Sequence, residues 1–400
     1  MYKNILKAHN RIKKHIIKTE CFLSKSISEL AGTNVYVKYD NKQITGSFKY
    51  RGSLNKLLSL KDVQKKNGVV TMSAGNHARG LAMGSKLLDI KATIIMPNNT
   101  PFEKIRKNIE LGAEVLIKGN NVDEAEKHVD ELIKIHNLTK IHPFNDHEVI
   151  FGQGTVMLEM LDQCPELDLL IIPVGGGGLI SGCSIVAKHL YPNLKIVGAE
   201  TINFPSLYNL FYKENKDFYF NSVAEGVAVR RIGKLNFPII KKLVDETLLV
   251  KESNIEKAMT FFLLNDKTLV EGAGALGLAA ILEHKKLQKY ENIGIIACGG
   301  NLDSRVLSSL LMRDLTRKKQ ILTLSIEMED KPGQLSIISN LCAKEKINIL
   351  AVEHSRFTLD LSVRAARLNI TLETQSKIHA EKIITKIKDL NFRVMEKKTD

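Results

Sequence analysis

The chain has 400 residues, of which 44% are hydrophobic and 26% charged, with a formal net charge of +14 and no tryptophan. That length accommodates two or three domains with full cores, and the balance is ordinary for a soluble globular protein. No apolar run is long enough to cross a bilayer.

The five cysteines (Cys21, Cys164, Cys183, Cys298 and Cys342) are odd in number and widely scattered, with no CxxC. A zinc knuckle or a disulfide framework is therefore not expected. The lysines come in short pairs, such as Lys13-Lys14 and Lys241-Lys242, with no interleaved aromatics. That pattern is a solvated basic surface rather than a nucleic-acid platform. Residues 1–18 are basic and amphipathic but lack a continuous apolar core and a small-residue cleavage site. They are read as no signal peptide, hence a cytoplasmic protein, with an amphipathic presequence as the second reading.

Taken in order, residues 1–34 look helical, with a cap at Ser26 or Ser28. Residues 35–39 alternate as a strand does, and Gly46 marks a turn before a helical run over 50–60. Strands are expected at 69–72, 92–96 and 113–117. Helices are expected at 78–88, 101–111 and 122–136. A strand over 168–174 runs into four glycines and a helix over 179–189. Residues 195–199 and 293–297 read as strands, and 255–264 and 272–287 as helices. Regular alternation of strand and helix predicts doubly wound α/β architecture with parallel sheets. A seam at 316–320 is followed by strand 322–328, helix 333–345, strands 347–354 and 365–373 around a charged turn at 355–364, helix 378–390 and strand 393–397. That βαββαβ order is the split ferredoxin-like unit and marks a separate small domain.

Four stretches carry chemistry if strands 69–72, 168–174 and 293–297 lie in parallel, because ligands sit beyond the carboxyl ends of such strands. Lys49 follows a turn and an aromatic, Phe48. A desolvated lysine there has a lowered pKa and serves as an amine nucleophile toward a carbonyl. Gly175, Gly176, Gly177 and Gly178 open a helix, so their amides and the helix's positive end suit a phosphate. A dinucleotide reading fails, although Glu200 lies at a suitable distance, because Ile180 or Ser181 stands where a small third residue is needed. Ser73-Ala74-Gly75-Asn76-His77 opens another helix. Its amides suit a carboxylate and Asn76 a phenolic oxygen, against the plain reading of a helix cap. Cys298 at a strand end is either a small hydrophobe or a partner for a ring nitrogen.

A phosphate cradle, an amine, a carboxylate clamp and a ring-nitrogen partner describe pyridoxal phosphate with an amino acid. The motifs SFKYRG (47–52), SAGNH (73–77), GGGGL (175–179) and CGGN (298–301), in this order, resemble the fold-type II pyridoxal-phosphate family of threonine/serine dehydratases and serine racemase. The likeness runs from about residue 10 to 315. The segment Asp330-Lys331-Pro332-Gly333-Gln334-Leu335, with Val352-Glu353-His354, resembles an ACT regulatory domain. The resemblance implies a catalytic domain over 1–318, with a smaller lobe at about 40–145, and an ACT domain over 321–400.

It also implies the roles. Lys49 is the Schiff-base lysine, Phe48 packs on the pyridine ring, Asn76 meets the 3-oxygen, Gly175 to Gly178 hold the phosphate and Cys298 faces the pyridine nitrogen. Ser73, Ala74, Gly75 and His77 hold the substrate carboxylate. The implied reaction is β-elimination of threonine, and of serine, to a 2-oxo acid and ammonia. The implied partners are an amino-acid effector, isoleucine or valine, and further copies of the chain, with no nucleic acid and no membrane. Racemases of this family carry serine where this chain has Ala74, which opposes racemisation. Relatives that bind a divalent cation carry an acid at Ser206, so no metal is expected despite Glu200. Arg79 replaces a common glutamine. The other readings are a serine racemase or hydroxyaspartate-type lyase, and a non-catalytic ACT-containing sensor.

Overall fold

Uninterrupted Val/Ile/Leu runs suit strands covered on both faces, as parallel sheets require. In the computed structural model, which describes residues 1–164, 166–356 and 359–397, the chain forms two compact units, Met1–Leu302 and Asp303–Asp400, and such runs build the parallel strands of the first. The first unit contains β1 (Cys21–Leu23), β2 (Asn34–Lys38), β3 (Val69–Met72), β4 (Ala92–Met96), β5 (Glu114–Ile117), β6 (Thr139–Lys140), β7 (Leu169–Pro173), β8 (Lys195–Thr201), β9 (Glu246–Val250) and β10 (Asn292–Ile296). One sheet runs β1-β2-β10-β7-β8-β9, parallel except at the edge strand β1. The other runs β5-β4-β3-β6 and is parallel throughout. β7 and β10 are neighbours, whereas β3 lies in the smaller sheet. The three strand ends therefore meet from two sheets rather than along one edge.

Several elements differ from the sequence expectation. Residues 1–34 are not one helix: helix Tyr2–Ile12 is followed by β1 and by helix Lys25–Ala31. The second helix is capped by Ser24, whose hydroxyl accepts from the Ile27 amide, and not by Ser26 or Ser28. Helix His147–Gln163 was not expected at all. It is buried nearly all round and contains Gly152 and Gly154, so it shows no amphipathic stripe. β1, β6 and β9 were also not expected; β1 and β6 are too short to show a period.

The unexpected helix holds the element that bears Lys49. Helix Lys49–Ser59 crosses it where Gly52 meets Gly152. A Cβ on Gly152 would lie 2.6 Å from the Gly52 Cα, so neither position admits a larger residue without separating the helices. Two residues after Lys49, the buried Arg51 guanidinium grips both carboxylates that flank it. It donates to Asp40 at 2.7 and 2.9 Å and to Glu159 at 2.6 and 2.8 Å. Lys38 at the end of β2 donates to the same Glu159 at 2.9 Å. Two cations and two anions thus cancel in the interior, each satisfied by hydrogen bonds, the condition under which buried charge is tolerated.

The second unit begins with helix Ser304–Arg317, followed by β11 (Ile321–Glu329), helix Gln334–Lys344, β12 (Asn348–Ser355), β13 (Ala365–Glu373), helix Lys377–Asp389 and β14 (Arg393–Glu396). Its sheet is antiparallel in the order β12-β13-β11-β14. Alternate residues of β13 (Ala366, Leu368, Ile370 and Leu372) are buried with Leu324, Ile338 and Ile383, which explains the legible period of two. Residues 357 and 358 of the charged turn lie outside the described residues. Among the described residues no helix is long and apolar enough to cross a membrane.

Replacing Arg51 alone with methionine leaves Asp40 buried without a cation, holding only the Thr19 hydroxyl, and leaves Glu159 with Lys38 as its one ionic partner. Loss of one member of such a cluster costs about 3–5 kcal/mol. Chemical denaturation followed by circular dichroism should show the first unit unfolding at markedly lower denaturant, with the second unit's transition unmoved.

Candidate active site

Lys49 is the first residue of its helix, and the preceding loop fixes it. Gly46 has φ +74°, a left-handed conformation that glycine adopts freely. The Phe48 amide then donates to the Cys298 carbonyl at 3.0 Å, tying the loop to the chain just after β10. The Lys49 amine donates to the Pro143 carbonyl at 3.0 Å and lies 5.2 Å from the Phe48 ring centre. Burial lowers its pKa to about 8, against the opposing pull of Cys298 and Glu271. The amine is therefore half neutral at about pH 8, whereas an exposed lysine stays charged to its ordinary 10.5.

The segment 142–145 links this amine to the glycine loop. His142 Nδ1 accepts the amides of Phe144 at 3.2 Å and Asn145 at 2.9 Å, which shapes the turn. Burial lowers the His142 pKa to about 4, so the ring stays neutral and keeps that acceptor. Phe144 then packs on the loop: a Cβ on Gly176 would lie 2.3 Å from its ring. Asn236 donates to the Gly176 carbonyl at 2.9 Å and to the Phe144 carbonyl at 3.0 Å. Gly177, with φ +92°, caps helix Gly178–Leu190. Amides at the first turn of a helix are of the kind that suits an anion.

On the other side stands the SAGNH turn. Asn76 begins helix Asn76–Leu87, and its amide nitrogen donates to Glu271 Oε1 at 2.6 Å. Its amide oxygen accepts from Asn301 Nδ2 at 2.6 Å, and Arg79 donates to Asn301 Oδ1. Burial, first, and Glu225 push Glu271 up to about 7, against the donation from Asn76. The Glu271 amide donates to the Gly299 carbonyl at 2.9 Å, next to Cys298. Cys298 is itself 2% exposed, and burial raises its thiol well above the ordinary value, so it is a neutral S–H.

Lys49, Phe48, Cys298 and the tetraglycine are thus connected through first neighbours, and Asn76 joins them through Glu271. The Gly75 amide donates to Ser73 Oγ at 3.2 Å, and Ala74 is partly exposed beside them. The His77 side chain turns away from this turn. Its Nε2 pairs with the Ile141 carbonyl at 3.0 Å and its Nδ1 with Ser53 Oγ at 3.3 Å. Burial lowers its pKa to about 3, so only its backbone amide is left to meet a ligand at the helix start. The sequence assigns no role to Glu271, His142 or Phe144, nor to Asn301 although it closes the CGGN motif. Glu200 accepts the amides of Leu207 and Tyr208, both at 2.7 Å, and caps helix Ser206–Tyr212. Among the described residues, no group of three or more His, Cys, Asp or Glu is placed to hold a metal ion.

Residues 12–299 match the family model described as pyridoxal-phosphate dependent enzyme. The chain belongs to that family. Over 382 residues it is 36% identical to a Thermotoga maritima protein named L-threonine ammonia-lyase, covering 95% of each chain. Its fold is similar to that of maize serine racemase, with a TM-score of 0.73 at 33% identity over 79% of this chain and 98% of that one. It is equally similar to the processed threonine deaminase isoform 2 of Solanum lycopersicum, with a TM-score of 0.73 at 34% identity over 78% and 87% of the two chains. The α/β fold is therefore that of the fold-type II enzymes, and the cofactor is pyridoxal phosphate. The residues present suit that cofactor: a desolvated amine for its aldehyde, and a glycine-lined helix start, closed to a Cβ at Gly176 and Gly177, for its phosphate.

The environment of Lys49 predicts how the cofactor-free enzyme titrates. Its borohydride-trapped reaction with a small aldehyde should rise with pH around a midpoint near 8 rather than near 10.5. Glu271 raises the Lys49 pKa, so Glu271→Gln should move the midpoint to lower pH. A rate-against-pH series on the two proteins, with trapping located by peptide mapping, checks both the value and the sign.

Proposed function

We propose that the chain is a threonine ammonia-lyase, converting L-threonine to 2-oxobutanoate and ammonia and acting also on L-serine. The observation that carries this reading is the buried Lys49 amine, its pKa lowered to about 8, tied through Pro143–Phe144 to the glycine loop. Relatives named for threonine deamination, one of them matched over nearly its whole length, support it.

Pyridoxal phosphate, when bound, supplies the electron sink for the pair left at the substrate's α-carbon. The chain supplies the rest. The amides of residues 175–178 hold the phosphate arm at the start of helix Gly178–Leu190. Asn76, held from both sides by Glu271 and Asn301, presents its amide toward the ring's 3-oxygen. Phe48 packs on the ring, and Cys298 offers a neutral thiol to the ring nitrogen. Ser73, Ala74, Gly75 and the His77 amide receive the substrate carboxylate at the start of helix Asn76–Leu87. The free Lys49 amine takes the α-proton, the β-hydroxyl departs with one proton as water, and hydrolysis of the released enamine by one water gives the 2-oxo acid and ammonia. A racemase needs a second proton carrier on the opposite face. Ala74 cannot carry a proton, so racemisation is not the proposed activity.

Residues 321–400, the part of the second unit after its first helix, are proposed to be an ACT domain, with 1–318 as the catalytic domain. The strand order β12-β13-β11-β14 and the βαββαβ succession support that reading. β12 is an edge strand that exposes Leu350 and Val352, a surface suited to a second copy of the same domain. The proposal therefore includes a homo-oligomer, an isoleucine or valine effector, and a cytoplasmic setting.

The deciding measurement is 2-oxobutanoate release from L-threonine, with and without isoleucine. Turnover should be present and should change when isoleucine is added. Lys49→Ala should lose at least about 10²–10⁴-fold, the contribution of a positioned general base. Interconversion of serine enantiomers without release of a 2-oxo acid would overturn the assignment.

A further inference from the structure

β1 is the antiparallel edge of the larger sheet, and Cys21 at its start pairs in register with Lys38 of β2. Helix His147–Gln163 ends at Cys164. The two elements are already joined: Lys38 donates to Glu159 at 2.9 Å and to Gln163 at 3.2 Å, and Gln163 donates to the Thr19 carbonyl at 3.2 Å. This lattice brings two thiols that lie 143 positions apart in sequence to a sulfur–sulfur distance of 3.2 Å. Both are reduced. Cys164 is buried, while Cys21 is partly exposed and can meet a small oxidant.

We propose that Cys21 and Cys164 are a redox-active thiol pair that a peroxide closes into a reversible disulfide. The bonded sulfur separation is about 2.0 Å, so closure asks for a shift of only about 1 Å. In the net reaction two S–H bonds and the O–O bond of one hydrogen peroxide break, and one S–S bond forms. The two sulfurs lose two electrons and two protons, which leave with the oxygens as two waters. The two thiols are unlike: Cys21 is the more accessible, and Cys164 is the one that more readily gives up its proton. The contact with Cys21, first, and the nearby Lys38 ammonium lower the Cys164 pKa, while the same contact and burial raise Cys21.

The bond would staple β1 to the helix that carries Glu159 and packs on Gly52. It would therefore secure the base on which the Lys49 helix stands without touching the reacting groups. Cross-linking across so long a stretch of chain also restricts the unfolded state. The pair is thus a stabilising modification site, switched by oxidation, that does not depend on which amino acid the enzyme consumes.

The test uses the full-length, cofactor-loaded enzyme treated with dilute hydrogen peroxide, then alkylated and mapped without reduction. The expected product is one cross-linked pair of peptides containing Cys21 and Cys164, lighter by two hydrogens and separated by dithiothreitol. The oxidised enzyme should inactivate more slowly on heating. That gain should vanish in Cys21→Ser and, independently, in Cys164→Ala. Recovery of both cysteines as alkylated thiols or as separate sulfinic acids would overturn the proposal. So would a cross-link that leaves the inactivation rate unchanged. The wild-type peptide map decides the chemistry even if one variant folds poorly.

Discussion

Arg51 is a fully buried cation on the helix that begins with Lys49, and its two carboxylate partners come from different parts of the chain. Asp40 follows β2, and Glu159 lies on helix His147–Gln163. A buried guanidinium tolerates no loss of partners, because each unpaired charge in the interior costs several kcal/mol. The cluster therefore sets where three elements stand relative to one another. Its planar fork has one orientation that satisfies both carboxylates, so it fixes direction as well as distance. The crossing of Gly52 on Gly152 then brings the two helices close enough for those bonds to form.

Much of the chemistry follows from that placement. With the helix fixed, its first residue projects where the Pro143 carbonyl and the Phe48 ring enclose it, and solvent is removed from the amine. Burial rather than a neighbouring cation lowers its pKa. The same region closes the glycine loop with Phe144, so the amine and the anion site share a wall. That wall is kept in shape by His142, whose low pKa ensures that its Nδ1 remains an acceptor.

The strand-and-helix alternation was legible because the parallel strands are continuous Val/Ile/Leu runs and β13 has a clean period of two. Lys49, Asn76, Cys298 and the glycines stood out because each is an unusual residue at the end of an element. The helix His147–Gln163 was not legible, since a helix buried all round has no polar face to mark its period. Ser24 was passed over as a cap because two further serines follow within four residues. Glu271 and Asn301 lie 195 and 225 positions from Asn76, and nothing local announces that they hold it. The thiol pair is illegible for the same reason: scattered cysteines carry no signal until the fold brings Cys21 to Cys164.

The protonation states of the enclosed groups form one pattern. Burial keeps His77, His142 and Cys298 uncharged at neutral pH. Glu271, raised to about 7, and Lys49, lowered to about 8, are left as the two groups of this set that titrate near the working range. They are coupled, since the carboxylate supports the ammonium and loses that hold when it takes a proton. Asn76 lies between them in function: its amide is oriented by the carboxylate form of Glu271, which can only accept. A neutral Glu271 could instead donate, and the Asn76 amide would then be free to turn. The proton on Glu271 thus bears both on the availability of the Lys49 amine and on the aim of the Asn76 amide, and the neutral groups around them confine the charge to that pair.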